Sequence, residues 1–477
     1  MKRWAALLLC LMLACPAALA ETYIVYHSGA EEWGAYALLL TDDGTALTPR
    51  GVYGDLRLLT PADGDADQAL YAASPAALPA DAEGLDEDDF RSFTRLALLD
   101  AQGEPLTDMV YYDLRFDPSG VIVGRRYNGP TDVLSPTGAT LFSGDYRDLA
   151  PAGDGYIALW EDEIDGEPSN AVLRVDADGT EHWTGLHTDA WELSAFSGGL
   201  LPLRSVPEYG GRDLFLTEDG EIALGRAFDS ISDARGGYAV VNDGDGYALI
   251  DDEGNILLPA EYDYIGCEER SDGRAVYFAH RGSAIEIYDG ETLDLIAERD
   301  FGGSYVYGWL CADGLMNVGG PGGAEIIDMD GDTVVAVPRD VDVSASYGVC
   351  RGVPERFVAT EGEWPYQDAH LIDRDGDRVG GSFQSLTADL WDGGAGRYTV
   401  GTFDIAEDEE GYPYPVWYSN RYGVCDENGE TVLPAVYNSV QVLAADRYWV
   451  EAPDRSGMID GAGKWYYVIN LYEELVD

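Results

Sequence analysis

Lysine is almost missing from this 477-residue chain, standing only at Lys2 and Lys464. Acidic side chains number 88 against 29 Lys and Arg, a formal net charge of −59. Such a field repels nucleic acid and anionic lipid, so no nucleic-acid partner is expected, and cations or basic proteins are favoured. The plainer role of those carboxylates is to keep the protein soluble. Beyond the first twenty residues no apolar run approaches bilayer length, so no membrane span is expected. C-x-x-C pairs are absent, which removes the usual zinc knuckle. The G-x-S-x-G, H-E-x-x-H and P-loop signatures are absent as well. Gly244-Asp245-Gly246 fails as a dinucleotide fingerprint, because a strand pattern follows it where a helix is needed. The five histidines are scattered. His182 and His187 lie closest, with Asp189 nearby, and are expected to be ordinary surface or half-buried residues. Long amphipathic helices are not evident.

The start of the chain has its own pattern. Lys2 and Arg3, the apolar run Trp4 to Ala14, and Ala18-Leu19-Ala20 read as a cleaved signal peptide over residues 1–20. Residues 21–477 are then a secreted or cell-envelope protein. A lipoprotein alternative rests on Cys15 after Ala14, but Met12 and Leu13 fit a lipobox poorly and Pro16 is unfavourable. Export permits disulfides among Cys267, Cys311, Cys350 and Cys425, with three connectivities. Tyr347-Gly348-Val349-Cys350 and Tyr422-Gly423-Val424-Cys425 share one context. It favours strand cysteines that act as small buried apolar residues. The disulfide state stays open.

What is present is a β-hairpin written out in residues 246–265. Ala248, Leu249 and Ile250 form an apolar strand, and Asp251 to Gly254 supply the turn. Asp251 can bond the backbone two residues on, and Gly254 tolerates the positive φ of a tight turn. Ile256 to Leu258 return, and Pro259, lacking an N–H, is expected to stop the strand.

The same unit recurs in worn copies. About eleven turn glycines align: Gly44, Gly103, Gly138, Gly179, Gly220, Gly254, Gly290, Gly331, Gly376, Gly429 and Gly463. Their spacing clusters near about 40 residues, where propeller blades fall. A lone hairpin cannot bury both faces, so stacked copies must supply each other's core. The fold class is therefore all-β with a repeat architecture, one or two β-propellers, with a β-solenoid as the alternative. Eleven turns exceed one ordinary propeller of about four to eight blades, so a boundary near residue 230 or two turns per blade is expected. Residues 60–89 and 404–420 read as exposed acidic insertions.

Residues 246–265 and 421–440 resemble the bacterial WG-containing β-repeat. Tyr247, Asp251, Gly254, Pro259, Tyr262 and Asp263 take its aromatic, turn, proline and closing positions. Tyr422, Gly423, Asp426, Gly429, Pro434 and Tyr437 do so again, and Gly457, Asp460 and Gly463 match its first half. Trp33-Gly34 lies too far from Gly44 to match. Leu173 to Trp183 is similar to the quinoprotein-type propeller repeat, and Ile285 to Gly290 is similar to propeller strands. These resemblances imply blades and no defined activity.

For chemistry, Asp328/Asp330/Asp332 and Asp373/Asp375/Asp377 space carboxylates two apart, as calcium loops do. Asp176/Asp178 do likewise. The distal glutamate of an EF-hand is missing, so turn formation is the favoured role and no cofactor is expected. Paired carboxylates in a propeller pocket would allow a glycosidase or lyase, the enzymatic alternative. The sialidase Asp-box is not met at Asp176 to Trp183. Exposed aromatics carry the better functional hint, since Tyr and Trp stack on sugars or anchor proteins. Trp364-Pro365-Tyr366 and Tyr412 to Trp417 fall in long loops. The expected function is a secreted, non-enzymatic module that binds or scaffolds a protein or glycan at the cell exterior.

Overall fold

The computed structural model describes residues 22–27, 36–60, 68–76, 94–127, 129–164, 166–232, 235, 237–269, 274–303, 305–312, 314–337, 341–344, 356–362, 365–388, 396–408 and 410–470. The signal segment with Cys15, Trp33-Gly34, Cys350 and Trp364 lie outside them. Two compact units divide the chain: residues 1–116 with 135–139, and residues 117–134 with 140–477. Residue 230 falls inside the second.

In the first unit, Thr22–His27, Tyr36–Thr41, Tyr53–Leu58, Tyr71–Pro75 and Ala97–Leu99 form one antiparallel sheet in chain order. Leu39, Leu56, Ala73 and Leu99 meet in its core. The reading of 60–89 as an exposed insertion is corrected for the part of it that is described, residues 68–76; residues 61–67 and 77–89 lie outside the described residues. Leu70, Tyr71, Ala72 and Ala73 are buried within it. The Ala/Asp/Pro average of thirty residues hid one short apolar run.

In the second unit, after the Ile122–Arg126, Thr131–Leu134 and Thr140–Gly144 strands, each sheet finishes before the next begins. Eight sheets follow between residues 148 and 470, seven of four strands and one of three. A hairpin inserted at Ile405–Glu407 and Pro413–Pro415 stands apart. Four-stranded antiparallel meanders in strict chain order are propeller blades. The chain is all-β and of the propeller class, and the solenoid alternative falls.

Each blade of this unit carries one of the aligned turns, always between its last two strands. At the opening hairpin, Asp251 Oδ1 accepts the Glu253 and Asn255 N–H groups at 3.0 and 2.7 Å, and Gly254 N–H bonds Asp251 O. Asp426 and Asp460 repeat the arrangement. Gly254, Gly429 and Gly463 all take positive φ. Gly290 does not; there Leu293 takes the left-handed conformation at φ 58°, and a Cβ on Gly290 would meet Ala275 O at 2.4 Å. Gly290 is required by close approach instead of by its dihedral.

The apolar triplets before each turn have a common cause. Leu214 and Leu216 enter the core shared with the preceding blade, whereas Phe215 enters the core shared with the following one. Ala248 and Ile250 face the earlier core and Leu249 the later. A strand walled on both sides needs apolar residues at every position, so the two-residue alternation of a half-exposed strand disappears.

Pro259 does not end its strand, which runs Ile256–Tyr262. The register jumps from Leu249↔Leu258 to Tyr247↔Tyr262, so extra residues bulge around Pro259. Pro434 sits in the same bulge, between Val424↔Leu433 and Tyr422↔Tyr437. A missing N–H costs nothing at a bulge in an outer strand. Beyond it the closing pair reaches the next blade. Tyr262 Oη donates to Glu286 Oε2 at 2.6 Å, and Asp263 Oδ2 accepts the Gly282 N–H at 2.7 Å.

Candidate functional site

Blade 148–188 departs from its neighbours in two ways. Its central hairpin, Gly155–Ile164 with Glu167–Val175, is ten and nine residues long and pairs throughout. Ile157, Ala158 and Leu159 are buried, but Trp160, Glu161, Asp162 and Glu163 beyond them are exposed, so the tip projects. The following blade is the three-stranded one. Segment 189–196 stands where its first strand is expected, held by Leu193, whose N–H bonds the buried Asp148 Oδ2 at 2.7 Å. Leu193 fills the core while Trp191 is left 55% exposed.

Two clefts lie on this blade. One, of about 620 Å³, is lined by Asp154, Arg174, Asp176, His182 and Trp183. Arg174 Nη2 donates to Asp154 Oδ1 at 2.9 Å, and Nη1 lies 3.8 Å from Asp176 Oδ1. His182 Nε2 is 2.9 Å from Asp176 Oδ2, and Trp183 is 64% exposed beside them. The other, of about 480 Å³, lies under the hairpin tip and includes Arg147, Asn170, Asp189 and Trp191. The Arg147 guanidinium stacks 3.7 Å from the Trp191 ring centroid and pairs with Glu161. His187 braces the tip, with Nδ1 2.6 Å from Glu208 Oε1 and Nε2 3.3 Å from Asp162 Oδ2. The Glu163 N–H, and after it His187, hold the Asp162 carboxyl below the usual carboxylate range.

His182 and His187 thus serve carboxylates and do not come together. Among the described residues no three His, Cys, Asp or Glu side chains converge to hold a metal ion. Asp328 Oδ1 accepts the Asp330 and Asp332 N–H groups at 3.0 and 2.9 Å, and Asp373 does the same for Asp375 and Asp377. Their turns are built by those bonds. In the loops singled out from sequence, Tyr366, Tyr412, Tyr414 and Tyr418 are exposed. Cys425 is buried on Arg421–Asp426, and burial, with Asp426 beside it, pushes its thiol up to about 12. No helix among the described residues is long and apolar enough to cross a membrane.

The family comparison decides the repeat: the WG-containing repeat model matches residues 247–277 and 422–451. The chain carries two WG repeats. Both segments run from the aromatic position through the turn, the proline bulge and the closing pair into the next blade. A search of curated proteins finds no match. Among solved structures the chain is similar to BamB from Moraxella catarrhalis, at 14% identity over 64% of this chain and 91% of that one, with TM-score 0.30. It is similar also to apo AztD from Citrobacter koseri, at 13% identity over 60% and 90%, with TM-score 0.26. At those scores the likenesses add nothing to the strand order.

The turn carboxylates of the blades set a pH dependence. The Asn255 side chain first of all holds Asp251 below the usual carboxylate range, and the Lys464 N–H does so for Asp460. A depressed folded pKa contributes stability that is present above about pH 4 and lost as pH falls through the lower folded values. Relief of the −59 charge works the other way while pH falls toward 4. The urea midpoint is therefore expected to drop steeply only below about pH 4. A midpoint unchanged between pH 4 and pH 2 would remove the turns' acid sensitivity.

Proposed function

We propose that this WG-repeat propeller is a non-enzymatic binding or scaffolding module of the cell exterior, and that blade 148–188 meets a partner with a basic surface. The carrying observation is that Trp160 and Trp183 on that blade, and Trp191 on the segment that follows it, are exposed among Asp154, Glu161, Asp162 and Glu163. Exposed indoles supply contact area at low entropic cost, and surrounding carboxylates select a cationic partner and speed its approach. A glycan reading has its own observation, since Trp183 offers a stacking face next to the Asp154–Arg174–Asp176 group. Arg174 engages both of those carboxylates, an arrangement suited to holding hydroxyls. The enzymatic form of this reading would use the same pair on a glycosidic bond.

The test uses residues 21–477, immobilised and offered envelope proteins and polysaccharides at low and high salt. A retained basic protein that high salt releases is the expected result. Retention indifferent to salt, or no retention, would overturn the charge-led reading. A polysaccharide that is retained and recovered shortened would move the function to hydrolysis.

A further inference from the structure

Strand direction sorts the connections of the second unit onto two ends. In a four-stranded meander the first-to-second and third-to-fourth connections lie at one end. The second-to-third connection lies at the other, together with the step to the next blade. Four strands per blade keep that phase between residues 148 and 470, and segment 189–196 keeps it through the three-stranded blade. The Asp-x-x-Gly turns therefore all fall at one end.

The exposed tyrosines fall at the other. Tyr209 and Tyr366 lie in second-to-third connections, and Trp160 stands on the lengthened hairpin at another. Tyr412, Tyr414 and Tyr418 ride on the hairpin inserted at the same connection of blade 385–437. Its base is tied to a step between blades, because the Phe403 N–H donates to Gln384 Oε1 at 2.9 Å and Gln384 Nε2 donates to Phe403 O at 3.0 Å. Trp191, Tyr264 and Tyr305 stand at further steps between blades. Among the described residues of this unit, all seven exposed tyrosines share that end, so their exposure follows the topology and is not scattered.

Acidity alone selects neither end, since the turns carry aspartates of their own. What the tyrosine end adds is an aromatic face beside exposed carboxylates. Glu161, Asp162 and Glu163 flank Trp160, and Asp404, Glu407, Asp408 and Glu410 flank the hairpin tyrosines. Tyrosine gives rigid contact area at low entropic cost. Guanidinium both stacks on such rings and pairs with carboxylates, whereas ammonium is a compact point charge. A second copy of this chain would bring a like charge of −59 and is disfavoured.

We propose that the tyrosine-bearing end of the second unit, opposite the Asp-x-x-Gly turns, docks the arginine-rich face of a protein partner. The proposal rests on the binding-module reading and extends its footprint from blade 148–188 to the inserted hairpin.

Calorimetry of the full chain with capped octa-arginine and octa-lysine peptides tests it, with hydrogen exchange locating the bound peptide. Octa-arginine is expected to bind more tightly, and to slow exchange in the inserted hairpin and around Tyr209 but not at the Asp-x-x-Gly turns. Tyr412→Ser, Tyr414→Ser and Tyr418→Ser combined change no charge and should weaken octa-arginine about tenfold. Tyr366→Ser alone should weaken it about twofold. Ile256→Ser with Leu295→Ser removes exposed apolar surface near the turns and should leave the affinity unchanged. A diffuse polyanion would feel none of these changes. Equal affinity in all the variants, protection confined to the turns, or absence of octa-arginine binding would therefore overturn the docking surface. If a salt-released basic protein is retained all the same, the binding-module reading stands without it. Tyrosine-dependent binding with no retained protein would support the surface and overturn the scaffold reading alone.

Discussion

Gly331→Ala is expected to lower stability by about 2–5 kcal/mol, against about 1–2 kcal/mol for the matching change Gly376→Ala. Both glycines close the same Asp-x-x-Gly turn, and both have φ of 82°. The left-handed dihedral therefore costs an alanine the same at each. What differs is the space. A Cβ on Gly376 meets nothing within 4 Å, whereas one on Gly331 would lie 2.3 Å from Ile296 O. That oxygen belongs to the Leu295–Asp300 outer strand of the preceding blade, and Arg299 Nη2 also donates to Gly331 O at 2.8 Å. The turn is wedged against a neighbour's backbone, which cannot swing aside as a side chain would. Urea midpoints of the two variants measure the difference. Equal losses would mean that only the dihedral matters.

Phe215→Ala is expected to cost about 3–5 kcal/mol, the range for deleting a buried aromatic ring. Phe215 is fully buried on Arg212–Leu216 and meets Phe228 edge-on, ring centroids 6.3 Å apart. Its core is shared with the following blade through Ala239, Val241, Ala248 and Ile250. The blade has only three strands, so fewer hydrogen bonds hold it while the cavity is accommodated. Phe215→Leu keeps much of the volume and should lose less than half as much. Thermal or urea unfolding of the pair decides it; a small effect of the alanine would place little of the packing energy in that core.

How far the sequence predicted these features depended on how local their causes are. Asp251 bonds N–H groups two and four residues away, so its turn is contained in five letters and could be read directly. The triplet Leu214-Phe215-Leu216 was equally legible, because a strand walled on both sides leaves an unbroken apolar run. Pro259 was ambiguous in principle: a missing donor suits a strand end and a bulge alike, and only the pairing to Tyr247 separates them. Asp117 and Asp408 form the same turns with Gly120 and Gly411, yet lack the apolar triplet in front that marks the others in the sequence. The site was hidden for a different reason. Arg147 and Trp191 are 44 positions apart, and nothing near either announces that the next blade leaves out a strand. Long loops are where the sequence places exposed aromatics, yet Trp160 stands on a lengthened hairpin, Trp183 on the outer strand beside it, and Trp191 next to a missing strand.

The alternation of Leu214, Phe215 and Leu216 between two cores also sets how the second unit comes apart. No blade there owns its interior. When one sheet opens, it strips a wall from the core on each side, so the neighbours lose protection together and amide exchange spreads along the chain instead of staying local. The three-stranded sheet is the thinnest shared wall, and it lies directly against the blade that carries both clefts. A ligand seated on that blade would tie down the place where such opening most readily begins.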